Sequence, residues 1–445
     1  MTNRMVCSAA AMAAILLTAP IAKAQPASSC TPKVEGPITI TADSKPYDRV
    51  DLPDAGAVEE EFFVSCTVSA GAYKTLVHVR LPKASVAQSG IVVAEPWHPG
   101  NIWSLYAKVS EYEARAGHVH VVIVGSPMVL DSFVKKADPK RYASLSLPKG
   151  TPVAAGTSTY DSTEFEVLAQ VGRLIKAGGL PGIKPRKVIL GGMSQTGGVV
   201  RAYIGYEHKG AAKSVYDGYF PEQSAATSYI APIADLDVPV VELQGERELI
   251  VVRERGADHI TYRRPDGPLY RLYEVPGMPH VATRGRGEGG GSRCTGHTVS
   301  DFPTFYVYGA TLDNLIAWVD KGVPAPHVPL IETDASGATI KRDAASNALG
   351  GYRTSYVDVP TATYHSTWAS YVTTAAGPSD ADAARCDKMG WVEKLPAGQL
   401  QQLYPSHAAY VAKVEDSLKK LVAARLILPD DAKVLADEAR AAPIP

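Results

Sequence analysis

The sequence predicts an α/β fold, specifically a mostly parallel central sheet with helices on both faces and a C-terminal extension packed on it. Three observations carry that expectation. The runs "GIVVAE" (90–95), "HVHVVIVG" (118–125) and "KVILGG" (187–192) are apolar at nearly every position, as strands covered on both faces should be. Helical patterns lie between successive runs, so strand and helix alternate along the chain. Two earlier segments, "EEFFVSCTV" and "YKTLVHVRLP", instead alternate apolar and polar residues, as antiparallel strands do.

Taken in order, residues 31–60 are rich in Pro and Asp and read as loop. A helix is expected over 103–116, between the first two buried runs. "YDSTEFEVLAQVGRLIKAGG" opens on Asp161 and Glu164 in a capping-box arrangement, carries Phe165, Leu168, Val171 and Ile175 on one face, and stops at Gly178-Gly179. "VPVVELQG" (238–245) and "LYRLYEVPG" (269–277) follow "KVILGG" as strands, and "TLDNLIAWVDKG" (311–322) is an amphipathic helix ending at Gly322. Beyond about residue 325 the chain becomes Pro- and Gly-rich and weakly periodic. A clear helix then returns, with Tyr410, Val411, Val414, Leu418 and Leu421 on one face. The expected division is a signal segment over 1–24, a catalytic domain over 25–324, and an extension over 325–445 packed on the same domain. No internal repeat is evident.

The 445 residues are 45% apolar and 20% charged, enough to build a packed core. A formal net charge of −1 makes no electrostatic case for nucleic acid. Arg4, the apolar stretch "CSAAAMAAILLTAPIA" and Ala22-Lys23-Ala24 together read as a cleavable secretory signal, with the mature chain starting near Gln25. The apolar stretch is broken by Pro20 and is short for a bilayer span, so no stable membrane insertion is expected and the protein is placed in the periplasm or outside the cell. Past Cys7, four cysteines remain in an oxidising compartment. They allow three pairings, of which Cys30–Cys66 with Cys294–Cys386 is preferred because each pair lies at one end of the mature chain. None has zinc-ligand spacing.

"GGMSQTGG" places Ser194 between a buried strand and a helical pattern, the setting that exposes a nucleophile at the carboxyl edge of a sheet. Gly192 stands two residues before the serine. Two residues after it stands Thr196, where a second glycine is usual, and Gly197 comes one later. On such a scaffold an acid should follow a later strand and a histidine the next. Glu248, with Glu246 as the alternative, follows "VELQG", and His280 follows "YEVPG". Serine, histidine and carboxylate in that order fit nucleophilic acyl transfer, although surface glutamates and a loop histidine would read the same way. An oxyanion hole would pair the backbone N–H of Gln195 with one near Trp97, His98 or Gly100, in the loop after "GIVVAE". His98 itself also fits a plain turn residue.

Three other features are read as structural. His118 and His120 share a strand face, but no further ligand pair completes a metal site. "GRGEGG" (285–290) has neither a strand close before it nor a helix after it, which a dinucleotide site requires. Asp161, Glu164 and Glu166 open a helix and are not paired acids for catalysis.

"GMSQTGGVVRAY", "RLYEVPGMPHV", "NALGGYRTSYVDVP" and the early "AVEEEFFVSCTV" together resemble the mostly bacterial, secreted "alpha/beta hydrolase domain" family. The resemblance covers nearly all of the mature chain. It implies the α/β-hydrolase fold and serine-dependent ester hydrolysis, a reading in which no metal or organic cofactor is expected. Ser194 matches the family nucleophile, His280 the base, and Glu248 a position where the family usually has Asp.

The leading functional expectation is a secreted carboxylic ester hydrolase acting on a small-molecule or polymeric ester, with lactones and polyesters inside the same chemistry. A non-catalytic exported binding protein of the same fold, and acyl transfer to an alcohol, are the alternatives. Few residues separate "YDGYF" (216–220) from the acid strand, so no large lid is expected there. The extension is expected to supply pocket walls, with Trp368 or Trp391 lining the pocket or serving as ordinary core aromatics.

Overall fold

The computed structural model describes residues 30–39, 57–99, 104–153, 160–207, 213–224, 236–254, 263–281, 297–337, 339–368 and 386–444. The expected signal segment, Gly100 and "GRGEGG" lie outside them. The two alternating segments form β2 (Val58–Val68) and β3 (Gly71–Leu81), paired antiparallel along their whole length. One correction precedes them. Residues 33–38 are not loop but β1 (Lys33–Ile38), antiparallel to β2. Gly36 and Pro37 obscure its periodicity, and an edge strand tolerates proline because one side of its backbone needs no partner. Cys30 is bonded to Cys66 of β2, one of the two preferred pairs. Cys386 is also disulfide-bonded, and Cys294 lies outside the described residues.

The α/β layers follow. β4 (Ile91–Pro96), α1 (Leu105–Ala116) and β5 (Val119–Ile123) precede α2 (Ser162–Lys176), β6 (Lys187–Met193) and α3 (Gln195–Glu207). β7 (Gly218–Glu222), β8 (Val240–Gly245), α4 (Glu246–Glu254) and β9 (Tyr270–Val275) complete the sheet. Among the described residues its nine strands run in the order β1-β2-β3-β5-β4-β6-β7-β8-β9, parallel from β5 to β9. β7 escaped sequence reading because "GYFPE" carries Pro221 and Glu222, residues that argue against a central strand.

Alternation within the parallel strands explains the continuous apolar runs. Val92, Ala94, Val188 and Leu190 enter a core with Phe165, Leu168 and Val171 of α2 and with Val200 of α3. Ile91, Val93 and Ile189 face the other way, into a core with Leu105 and Val109 of α1 and with α5 (Thr304–Lys321). α5 starts seven residues ahead of the expected "TLDNLIAW" because Tyr308 and Val307 are buried there too. Strand order reverses between β4→β5 and β6, and at such a switch point the carboxyl ends of neighbouring strands open a crevice. The loops after β4 and β6 both reach it.

Beyond residue 325 the chain packs on this framework. "SNALGGYR" lies beside β9, with Tyr352 N–H donating to Glu274 O at 2.7 Å. Gly351 has φ +73°, and a Cβ there would stand 2.6 Å from Glu274 O. β10 (Thr298–Val299), β11 (Ala362–His365) and β12 (Trp391–Lys394) form a small antiparallel sheet in the order β10-β12-β11. α6 (Ala397–Leu403), α7 (His407–Ala423) and α8 (Pro429–Ala441) end the chain. The expected apolar face of α7 packs on Leu435, Ala436 and Ala439 of α8. α8 was not anticipated, although Pro429 at its first turn followed by Asp430 and Asp431 is a legible start signal. Asp431 pairs with Arg115 of α1 at 2.7 Å, which ties this hairpin to the sheet layer. No helix among the described residues is long and apolar enough to cross a membrane.

Candidate active site

Ser194 stands between β6 and α3 with φ +58°, a left-handed conformation that a side-chain-bearing residue adopts only when its surroundings enforce it. Several contacts do so. Ser194 N–H donates to Glu222 O of β7 at 2.9 Å, and Gly198 N–H donates to Ser194 O at 3.0 Å. The Thr196 hydroxyl accepts from Met193 N–H at 3.0 Å and donates to Met193 O at 2.9 Å, pinning the turn from inside. The glycines make room. A Cβ on Gly192 would meet Thr196 O at 2.5 Å, and one on Gly197 would meet Glu222 O at 2.4 Å. Thr196 thus fits where a glycine is usual, because the close approach to β7 falls on Gly197.

The acid and the histidine arrive from the next two strand ends. Glu248 is fully buried in the first turn of α4; its Oε2 accepts Gly245 N–H at 3.0 Å. Its Oε1 faces His280 Nδ1 at 2.7 Å, and His280 Nε2 faces Ser194 Oγ at 2.8 Å. Carboxylate, imidazole and hydroxyl form one hydrogen-bonded line. Glu246, the alternative acid, is directed elsewhere: it accepts Gly277 N–H at 2.8 Å and pairs with Arg342 at 2.6 Å. Two positions along a helix separate these glutamates by about 200°, so only one of them can face His280.

Gln223, unremarked in the sequence, joins these parts. It is fully buried with φ +44° at the end of β7. Its Nε2 donates to Pro279 O at 2.9 Å and to Glu248 Oε2 at 3.4 Å, and its Oε1 accepts from the Tyr308 hydroxyl at 2.8 Å. The amide therefore links the acid's helix, the histidine's loop and α5. It was illegible because the strand that presents it was.

Burial lowers the His280 pKa below the ordinary 6.5. Glu248 opposes the shift, while Arg247 and Lys388 add to it. The imidazole is thus held as a neutral base at neutral pH. Glu222, beside the elbow, is fully buried, and neither carboxylate oxygen has a hydrogen-bond partner among the described residues. Burial, then repulsion from Glu242, raises its pKa well above 4.5, which favours its neutral form.

The loop after β4 requires one correction and one refinement. Trp97 N–H donates to Ile123 O at 2.9 Å, continuing the ladder to β5, and so is not available to an oxyanion. His98 remains as the described candidate from that loop. Gln195 is the first residue of α3, where a backbone N–H has no intrahelical acceptor. The His98 side chain is no exposed turn residue. It is buried, and burial together with His280, Lys388 and Lys108 lowers its pKa to about 3.

The histidine pair at the start of β5 is structural. His120 lies between Glu95 and Glu113, 3.0 Å from each, and His118 Nδ1 meets Ser89 Oγ at 2.7 Å. Burial depresses the His120 pKa, but the two carboxylates outweigh it and lift it to about 9. Glu95 also accepts Leu105 N–H at 2.7 Å, which fixes the start of α1 just past the loop carrying His98. Among the described residues no cluster of three His, Cys, Asp or Glu is arranged to hold a metal ion. Asp161 caps α2 through Glu164 N–H at 3.1 Å, but the Glu164 carboxyl is buried and makes no return bond.

The extension reaches the site. Val281 N–H donates to Lys388 O at 2.8 Å, and a Cβ on Gly390 would stand 3.0 Å from Pro279. Trp368 is a core aromatic against Val281, Cys386 and Met389. Trp391 lies stacked between His297 and His365, with ring centroids 3.8 Å away on each side.

Residues 34–437 match the family model for the alpha/beta hydrolase domain, and the chain belongs to that family. Among solved structures, an α/β serine hydrolase without lid from Xanthomonas campestris is 14% identical. That match covers 49% of this chain and 83% of the other, with a TM-score of 0.29. The siderophore hydrolase EstB from Aspergillus nidulans is 16% identical, covering 49% and 75%, with a TM-score of 0.27. A thermostable esterase from Pseudomonas putida is 8% identical, covering 48% and 74%, with a TM-score of 0.29. Likeness at this level says nothing of substrate. No curated protein sequence is a significant match to the chain.

Proposed function

We propose that the protein is a secreted serine-dependent carboxylic ester hydrolase, processed after residue 24 and acting in the periplasm or outside the cell. A catalytic domain over 25–324 and an extension over 325–445 that walls its site complete the reading. The observation that carries it is the line Glu248–His280–Ser194, with contacts of 2.7 and 2.8 Å, closed on a serine held at φ +58°. His280 Nε2 takes the Ser194 proton as Oγ attacks the ester carbonyl carbon. Backbone N–H groups of Gln195 and of the loop at His98 face the oxyanion that forms. The C–O bond breaks, the alcohol leaves with the proton from His280, and Ser194 holds the acyl group. Water then attacks that carbonyl, passing a proton through His280, and the carboxylic acid departs. Glu248 holds the imidazole in its productive tautomer and offsets its transient charge.

The test is hydrolysis of p-nitrophenyl esters from acetate to decanoate by the mature protein and by Ser194→Ala, with fluorophosphonate labelling of both. Activity and label should vanish together in Ser194→Ala. Equal activity in the two proteins refutes Ser194 as nucleophile. A wild-type protein that neither turns over nor takes the label points to a binding protein.

A further inference from the structure

Arg247 separates the two glutamates at the start of α4, and only 3% of its side chain is exposed. Two carboxylates lie within reach of its guanidinium. Asp387 Oδ2 accepts from Nε at 3.2 Å and from Nη2 at 2.7 Å. On the other side, Nη1 is 3.9 Å from Glu248 Oε1, the oxygen that faces His280. Asp387 comes from the far end of the chain. Its side chain is 1% exposed, and its second oxygen accepts Trp368 N–H at 3.1 Å.

A buried guanidinium keeps its charge and demands a carboxylate. With Asp387 present that demand is met by two hydrogen bonds, and Glu248 stays with the imidazole. Were Asp387 neutral, Glu248 Oε1 would be the nearest anion among the described residues, and a short shift of either side chain would close 3.9 Å to an ion pair. That pair would form at the expense of the bond to His280.

We propose that Asp387 is a positioning residue for the reaction: it occupies Arg247 and thereby reserves Glu248 for His280, so the C-terminal extension sets the geometry of the acid. The proposal rests on the reading of Ser194, His280 and Glu248 as the reacting set. It differs from a purely structural role, in which Asp387 only anchors residues 386–391 and its loss is felt whether or not Arg247 is charged.

The experiment compares wild type, Asp387→Asn, Arg247→Met and the double variant, each shown folded by circular dichroism. Two quantities are read: p-nitrophenyl ester kinetics, and the low-field proton resonance of the His280 N–H bonded to Glu248. Asp387→Asn should lower kcat about 10- to 100-fold with KM little changed, and the resonance should be lost. With Arg247 already Met, Asp387→Asn should cost less than about threefold, because the competing cation is gone, and the resonance should persist. Asp387→Asn with normal kcat and resonance overturns the proposal, as does an equal loss on both backgrounds. If Asp387→Asn alone does not fold, Arg247→Met against the double variant decides: loss of the resonance in the double overturns it. The resonance reports the His280–Glu248 contact whatever Ser194 does, so an active Ser194→Ala would sink the functional reading and leave this result standing.

Discussion

Replacing Glu164 by Gln should stabilise the protein, and increasingly so as pH rises. Glu164 lies in the first turn of α2, against the backbone after β5; a Cβ on Gly125 would be 3.2 Å from its carbonyl oxygen. Burial, then the nearby Asp161, raises its pKa from 4.5 to about 8. The folded protein therefore keeps a proton that the unfolded chain releases above its ordinary value. A raised carboxyl pKa gives stability that is present at low pH and drains away as pH climbs from 4.5 to 8. At about 1.4 kcal/mol per pH unit, that loss is roughly 3 kcal/mol at pH 7 and approaches 5 above pH 8. Glutamine has the shape of the protonated acid and takes no part in this titration. Urea unfolding followed by tryptophan fluorescence, at intervals from pH 5 to 8.5, should show variant and wild type within about 1 kcal/mol at pH 5 and diverging steadily above it. A difference that stays flat with pH, or a wild type that gains on the variant, would refute the argument that Glu164 folds in its neutral form.

Four further outcomes follow from the same geometry. His120 has its pKa raised to about 9 between Glu95 and Glu113, so the stability it contributes is complete below pH 6.5 and lost as pH rises through 9. His120→Asn should flatten that alkaline decline, worth roughly 3 kcal/mol, in thermal melts from pH 6 to 10. Because the His280 pKa is lowered, kcat/KM should hold its plateau below pH 6.5 and fall only in more acid solution; a midpoint above 6.5 would contradict the burial argument. Glu248→Gln should drop that plateau by roughly 10²-fold or more. Gln223→Leu leaves Pro279 O and the Tyr308 hydroxyl without their partner. It should destabilise by about 1–3 kcal/mol and lower kcat about tenfold, measured by melts and initial rates.

Much of the architecture was open to reading because its cause is local. A strand covered on both faces needs apolar residues at every position, so β4, β5, β6 and β8 announce themselves, and the glycines around Ser194 mark a turn that only small residues allow. Chain order then set Ser194, Glu248 and His280 after successive strands, where a parallel sheet brings its strand ends to one edge. Helical phase sets Glu246 and Glu248 on different sides of α4, and the packing of that helix decides which of them meets His280. What the sequence left open depends on partners far away in the chain. β7 breaks strand rules with Pro221 and is held by its neighbours on both sides, so Gln223 and Glu222 stayed hidden with it. Trp97 sits in the loop expected to hold an oxyanion, but its N–H goes to Ile123 because β4 and β5 run on in register beyond the strand end. Asp387 meets Arg247 across 140 residues. Periodicity reports which side of an element is buried, through the free energy of moving apolar surface out of water. Which polar group meets which inside depends on how the layers close, and only the tertiary structure decides that.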